Sequence, residues 1–305
     1  MNLKEVRLPD RYNYIAVFLT LRCNFNCSYC INSFSGRKIP NDITIPAQDW
    51  INVLNRLVSR EDLPVTIQGG EPTLHPGFIE IINSLKKDLK IDILTNLSFN
   101  VEEFIDKVNP LRFKRISPYP AIRISYHPEF MDLHQLVKKA AKLHKAGFPI
   151  GIYAIEFPWE ETRIQVLKKT CEGEGIIFKT KEFLGKYHGN IFGTYIYPEA
   201  VRREKRGKCK CRTSELIIGP SGDVFRCHHD LYSNFNSIGN LNEQDFAIQD
   251  IFRECDEFGY CNPCDLKIKT NRFQIFGHSS VEIKNIGKPP KDVLSRSIDL
   301  DSARI

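Results

Sequence analysis

The chain has little that would carry it into a membrane or out of the cell. It contains no run of about 18 uninterrupted apolar residues, so no membrane-spanning helix is read from it. Residues 1–11 are polar and charged and lack the apolar core of a secretion signal. The expected location is cytoplasmic. Methionine is scarce, with two in 305 residues, which argues against an adaptable Met-rich binding face. The charge imbalance is also small. A formal net charge of +6 and a sequence pI near 8.7 suit an anionic substrate or cofactor but are too weak to argue for nucleic acid. There is no internal repeat and no low-complexity tract.

What is present is a globular composition, 42% hydrophobic and 26% charged, with enough apolar residues for a sizeable core. A length of 305 residues allows two average domains, or one α/β barrel with an appendix. Ten cysteines in a chain with no export signal point to metal rather than disulfides.

Three of those cysteines crowd one loop. Cys23, Cys27 and Cys30 follow the apolar run 14–19, which reads as a buried strand. Soft thiolates in this C-x3-C-x2-C spacing suit a metal or an iron–sulfur centre. A [4Fe–4S] cube held by three cysteines leaves one iron free to chelate a small molecule. A zinc knuckle or a set of buried thiols is the competing reading. Further on, residues 65–68 form a short β-run that breaks into Gly69-Gly70-Glu71-Pro72. Two glycines allow a close backbone approach to a ligand, and Glu71 adds an acceptor for an ammonium group. An ordinary strand-to-helix turn is the alternative for that stretch.

Hydrophobic periodicity organises the rest. Strands are predicted near residues 14–19, 65–68, 91–96, 121–126, 150–155 and 176–179. Helices are predicted between them, one carrying Trp50, Val53, Leu54, Leu57 and Val58 on one face. Another runs from Met131-Asp132 to Gly147. Six strand–helix alternations over residues 13–181 imply a parallel sheet with helices outside, and are too few for an eight-fold barrel. The cysteine loop, Gly69-Gly70-Glu71, Thr95-Asn96, Ser125 and Ile155-Glu156 all fall at carboxyl ends of these strands, where such sheets place their sites. Ser125 also reads as a cap, Thr95-Asn96 as a cap of the third helix, and His127 as a turn residue.

The two motifs, in this order and separation, resemble the radical S-adenosylmethionine (radical SAM) superfamily. The resemblance covers the whole six-unit region and implies a partial (β/α)6 TIM-type barrel, with a small C-terminal cysteine-rich β-hairpin/α extension. It implies a [4Fe–4S] cluster on Cys23, Cys27 and Cys30, with S-adenosylmethionine chelating the fourth iron. Gly69, Gly70 and Glu71 would contact its amino group, and Ser125 its ribose, with Arg123, Tyr126 and His127 nearby; Thr95 and Asn96 join the cofactor-binding set.

The C-terminal part holds Cys209, Cys211, Cys227, Cys255, Cys261 and Cys264. Residues 214–226 read as a hairpin around Pro220-Ser221-Gly222-Asp223, returning the chain so that cysteines at both its ends meet. The arrangement resembles the SPASM and twitch extensions of radical SAM enzymes, which implies one auxiliary [4Fe–4S] cluster. The expected ligands, in order, are Cys227, Cys261 and Cys264, then Cys209 or Cys211, with Cys255 last. A zinc ribbon competes. Cys171 reads as a buried thiol. His228 and His229 read as near the cluster or substrate, or else as surface residues.

The expected division is 1–185 barrel core, 186–207 connecting segment, 208–284 auxiliary domain and 285–305 disordered tail. The connecting aromatics, such as Phe183, Tyr187 and Phe192, read as closing the open side of the barrel. The charged run 202–206 reads as a solvated face, and residues 267–283, with Arg272, Phe273, Phe276 and His278, as packing back onto the barrel. The barrel begins near Tyr14, which leaves no room for a leader-binding domain and favours a small-molecule substrate over a peptide. The partners expected are that substrate and an electron donor such as flavodoxin or ferredoxin, with no nucleic acid and no membrane. A peptide-modifying maturase and a non-catalytic iron–sulfur or zinc module are the alternatives.

Overall fold

The structure, a computed structural model, describes residues 3–33, 44–60, 62–157, 161–235, 237–269 and 277–284. Six parallel strands form its centre: β1 (Tyr14–Thr20), β2 (Val65–Gly69), β3 (Ile91–Thr95), β4 (Ile122–Ser125), β5 (Ile150–Glu156) and β6 (Ile177–Glu182). They pair in chain order. The intervening helices are α1 (Ala47–Asn55), α2 (Phe78–Ser84), α3 (Val101–Lys107), α4 (Leu133–Lys145) and α5 (Glu161–Gly173). These are the six alternating units that the periodicity implies, in the partial-barrel arrangement that the resemblance implies.

Local chemistry sets the helix ends. The Asp132 carboxylate accepts the Gln135 N–H at 2.8 Å and starts α4. Gly147 follows its end at φ +87°, a conformation open to glycine. Leu136, Val137, Ala140, Ala141 and Leu143 form its buried stripe. The α1 stripe is shorter than its period suggests. The helix ends at Asn55, and Leu57–Val58 pairs in parallel with Val6–Arg7. Val58 is β-branched and loses less in a strand than in a helix, so the end of the apolar stripe belongs to that short strand pair. Trp50 and Cys171 are wholly buried, as packing residues.

Beyond β6 lie a small hairpin, β7 (Gly185–Tyr187) and β8 (Asn190–Phe192), and then β9 (Gly207–Thr213). The predicted second hairpin is β10 (Glu215–Ile218) and β11 (Asp223–Phe225), followed by α6 (His228–Ser233) and β12 (Gly239–Asn240). β13 (Arg253–Phe258), α7 (Pro263–Leu266) and β14 (Val281–Lys284) are the last elements among the described residues. The sequence reading assigns the hairpin to the 208–284 extension. In the structure β10 is hydrogen-bonded in parallel to β1, with Glu215 opposite Tyr14 and Ile218 opposite Val17. Among the described residues the barrel sheet therefore has nine strands, in the order β12-β11-β10-β1-β2-β3-β4-β5-β6. A separate antiparallel sheet has the order β13-β9-β14.

This docking explains why all seven residues of β1 are buried. Ile15, Val17 and Leu19 join the core under the helices. Tyr14, Ala16 and Phe18 pack on Ile217, Phe225, Leu231 and Tyr232. A strand covered on both faces reads as a continuous apolar run. Phe18, 1% exposed, contributes about 1.5–3 kcal/mol by its burial. The charged run 202–206 is largely exposed, as expected. Arg272, Phe273, Phe276 and the tail 285–305 lie outside the described residues.

Candidate active site and second thiol cluster

The carboxyl ends of β1–β6 open onto a cavity of about 540 Å³, within the range of small-molecule sites. Cys23, Cys27 and Cys30 line it together with Gly69, Gly70, Glu71, Thr95, Asn96 and Ser125. The structure thus brings all of these predicted residues to one place.

The cysteine loop is pinned from several sides. The Asn32 amide donates to the Gly69 carbonyl at 3.2 Å, and the Asn262 amide to the Ile31 carbonyl at 2.9 Å. The Glu129 carboxylate accepts the Ser28 N–H at 2.8 Å and also its hydroxyl. The Asn96 amide donates to Asn24 Oδ1 at 2.9 Å. His127 stands against the loop, its Nδ1 at 3.0 Å from the Tyr29 hydroxyl and 3.5 Å from Cys27 Sγ. Burial, then the charge of Lys181, lowers its pKa to about 4, so it is neutral at pH 7. It is more than the turn residue it reads as.

The two glycines serve packing in a way the sequence reading did not anticipate. A Cβ on Gly69 would stand 2.0 Å from the Thr20 carbonyl oxygen, and one on Gly70 would stand 2.1 Å from that of Arg22. The Gly70 and Glu71 N–H groups donate to those same carbonyls at 2.9 and 2.8 Å. The close backbone approach is therefore to the strand end that launches the cysteine loop.

Glu71 also has a different setting from the open acceptor it reads as. Its carboxylate is 1% exposed and accepts from the Thr73 hydroxyl and N–H, the Thr95 hydroxyl at 2.8 Å and the Asn96 N–H at 2.6 Å. Burial raises its pKa and these donors oppose the rise. Glu71 ties β2 to the end of β3. Thr95 and Asn96 do not cap α3, whose cap is Asn100, accepting from the Glu103 N–H at 3.1 Å. Ser125, Tyr126 and His127 line the cavity. Arg123, expected near them, is instead fully buried on Asp92 at 3.0 Å. Buried cations are held by buried anions, and Asp92 on β3 is the anion within its reach.

Several cavity residues went unnoticed in the sequence. Gln68 accepts from the Tyr14 hydroxyl at 3.2 Å, and Tyr153, Lys181, Glu215, Lys267 and Lys269 also line the space. The parity of β2 and the end of β6 are signals that reveal Gln68 and Lys181. Glu215 and the 267–269 strip come from the docked extension. Phe183 and Leu184, leading into the β7–β8 hairpin, close one wall. His228 and His229 are buried, not surface residues. Burial works against a charge on His228, but Asp265, 2.8 Å from Nδ1, outweighs it and lifts the pKa to about 10.

The other thiols gather away from the cysteine loop. Cys209, Cys211 and Cys255 have sulfurs within 4.8 Å of one another, the only such group among the described residues. Cys209 and Cys211 lie on one face of β9, with sulfurs 3.4 Å apart. Cys255 pairs with Cys209 across the ladder, so the three side chains share one face. Hydrogen bonds from Cys209 and Cys211 hold the Cys255 thiol well below its usual range. Cys227 is buried in the same cluster, with Cys261 packed against it, whereas Cys264 lines the cavity. Cys255, placed last by the sequence reading, is among the convergent three, and of the expected Cys261–Cys264 pair only Cys261 packs against their cluster.

Residues 17–121 match the family model described as Radical SAM superfamily. A GTP 3′,8-cyclase of Aliarcobacter butzleri is 23% identical over 190 residues, covering 58% of this chain and 57% of that protein. A 7-carboxy-7-deazaguanine synthase of Clostridium acetobutylicum is 31% identical over 102 residues, covering 32% of this chain and 45% of that protein. The chain thus spans about half the length of these relatives. In fold it is similar to Streptococcus suis SuiB, solved bound to the precursor peptide SuiA, with a TM-score of 0.52 at 17% identity over 79% of this chain and 64% of that one. The cofactors of the family are a [4Fe–4S] cluster and S-adenosylmethionine. No helix among the described residues is long and apolar enough to cross a membrane.

Proposed function

We propose that the protein is a radical SAM enzyme acting on a small molecule, with Cys23, Cys27 and Cys30 as ligands of its [4Fe–4S] cluster. The observation that carries this reading is the meeting of those three thiols with Gly69-Gly70-Glu71 and the ends of β3 and β4 in one cavity. The donors suit the cluster. They are soft, they face the cavity, and they are spread more widely than the 4.8 Å within which a single ion would gather them. Each of Cys23 and Cys27 feels the charge of Cys30. Burial raises the Cys27 pKa to about 11, so loading the site releases protons from its thiols.

When bound, the cluster and S-adenosylmethionine supply one-electron cleavage to methionine and a 5′-deoxyadenosyl radical, which takes a hydrogen atom from substrate. The protein's part is to aim and enclose. Gly69 and Gly70 fix the cysteine loop against β2. Glu71 fixes Thr95 and Asn96 beside it, and these with Ser125 present polar atoms to S-adenosylmethionine. His127 and Tyr29 form the neutral bed under Cys27, and Phe183 helps to exclude water. A one-electron donor such as flavodoxin or ferredoxin completes the system. The relatives named as a GTP cyclase and a deazaguanine synthase favour a small molecule. The fold shared with SuiB keeps a peptide-modifying role as the alternative.

The second thiol set is assigned an auxiliary [4Fe–4S] cluster, with Cys209, Cys211 and Cys255 as core ligands and one of Cys227, Cys261 and Cys264 as the fourth. A structural zinc ion is the second reading. It is favoured by the 3.4 Å sulfur separation, near the roughly 3.8 Å implied by tetrahedral Zn–S bonds of about 2.3 Å. Anaerobic reconstitution with iron and sulfide, then dithionite and S-adenosylmethionine, tests the main reading. Formation of 5′-deoxyadenosine is expected, and its absence from cluster-loaded protein would sink it.

A further inference from the structure

Charge in the cavity is unevenly paired. On its inner side Glu215 meets Lys269 at 3.5 Å and accepts from the Ser280 hydroxyl at 2.6 Å. Asp265 is taken by His228, and Glu182, at the rim, accepts from the Thr194 hydroxyl at 2.7 Å. Lys181, at the end of β6, and Lys267, just after α7, line the same cavity. Neither forms an ion pair among the described residues. Lys181 lies 5.3 Å from the centroid of the Tyr153 ring, a weaker contact than a carboxylate would give.

Both ammonium groups are half-buried with no carboxylate among the described residues in direct contact, which is costly; the charge of Glu215 on Lys267 and of the Cys264 thiol on both offsets part of that cost. They also repel each other. Burial, followed by the charge of Lys267, lowers the Lys181 pKa to about 8. A fold that packed these positions for stability would use apolar side chains. Both lysines instead line the cavity, Lys181 from the edge strand β6 and Lys267 from the segment that follows α7. Lysine is a flexible point charge that meets carboxylate or phosphate oxygens equally well.

We propose that Lys181 and Lys267 seat an anionic group of the substrate, a carboxylate or a phosphate, in the barrel cavity. The name of that molecule as substrate rests on the radical SAM reading; the anion seat itself does not. An acid or phosphate ester bound there has its charged end held at β6 and the strip after α7, and the rest of it in the space that the cysteine loop lines.

The test uses full-length, anaerobically reconstituted protein saturated with S-adenosylmethionine, so that the carboxylate site of that cofactor is filled. Inorganic phosphate and succinate are titrated separately by calorimetry at low ionic strength, and thermal midpoints are read on the same samples. At least one anion is expected to bind saturably and to raise the midpoint. Lys181→Met/Lys267→Met should weaken binding by about tenfold or more, while Lys181→Arg/Lys267→Arg retains it. The ligand-free midpoint of the Met variant should equal or exceed the wild-type value, because two unpaired charges are gone. Phosphate binding without succinate binding assigns a phosphate ester, and the converse a carboxylic acid. Failure of both anions to saturate wild type, or equal binding by the Met variant, overturns the seat. Should 5′-deoxyadenosine fail to form while an anion still binds, the proposed activity falls and the seat stands.

Discussion

The two thiol sets are built on opposite plans. Cys23, Cys27 and Cys30 sit on a loop, exposed or half-buried, and spread around a cavity. Cys209, Cys211 and Cys255 sit on paired strands, buried and converged. A loop held by hydrogen bonds from four neighbouring segments leaves room for a ligand to share the metal. A sheet face brings sulfur atoms together by register and closes over them. The first plan suits a centre that must meet substrate, and the second one that is sealed.

The difference can be broken most directly by deleting the open set. Cys23→Ala/Cys27→Ala/Cys30→Ala should abolish 5′-deoxyadenosine formation while the reconstituted protein keeps about four irons. Near-zero iron with one equivalent of zinc, by metal analysis, would convert the second site to the zinc reading. Deleting from the closed set should do the reverse. Cys255→Ala removes a convergent thiol, and about four irons should be lost from the second site on iron counting, with the melting midpoint falling by several degrees. Chelation sharpens the contrast in time. Iron should leave in two phases, the fast phase tracking loss of S-adenosylmethionine cleavage, because the first set is reachable by solvent.

Smaller effects follow within the open site. Glu71→Gln places an amide N–H₂ among groups that already donate to it, leaving a buried mismatch worth about 1–3 kcal/mol. S-adenosylmethionine cleavage should drop by about tenfold or more as the ends of β2 and β3 loosen, measured as initial rate. Cys171→Ala, remote from both sets, should cost only about 1 kcal/mol by denaturant melts and leave metal content unchanged.

The barrel was legible because its signals are local. A run such as residues 14–19 or 91–96 announces a buried strand, and the intervening apolar periods announce helices. The ends of those strands then locate Cys23, Gly69, Thr95 and Ser125 without knowledge of any contact. The role of Glu71 was less legible. Its spacing suggests an open acceptor, but beside the two local donors of Thr73, those of Thr95 and Asn96 reach it only after β2 and β3 pair. Arg123 shows the same limit, since Asp92 is thirty-one residues away in the chain.

By itself, the order of residues determined the six alternating units, the loop bearing three soft ligands and the glycine pair beside it, because each depends on neighbours within a turn or a strand. Tertiary structure decided the rest. It docked β10 on β1, set Cys255 across from Cys209, and carried Lys267 into the same cavity as Lys181. Those placements rest on strand register and on burial shared between distant segments. Period and spacing do not encode them, because many pairings satisfy the same local pattern and only packing of the whole selects one.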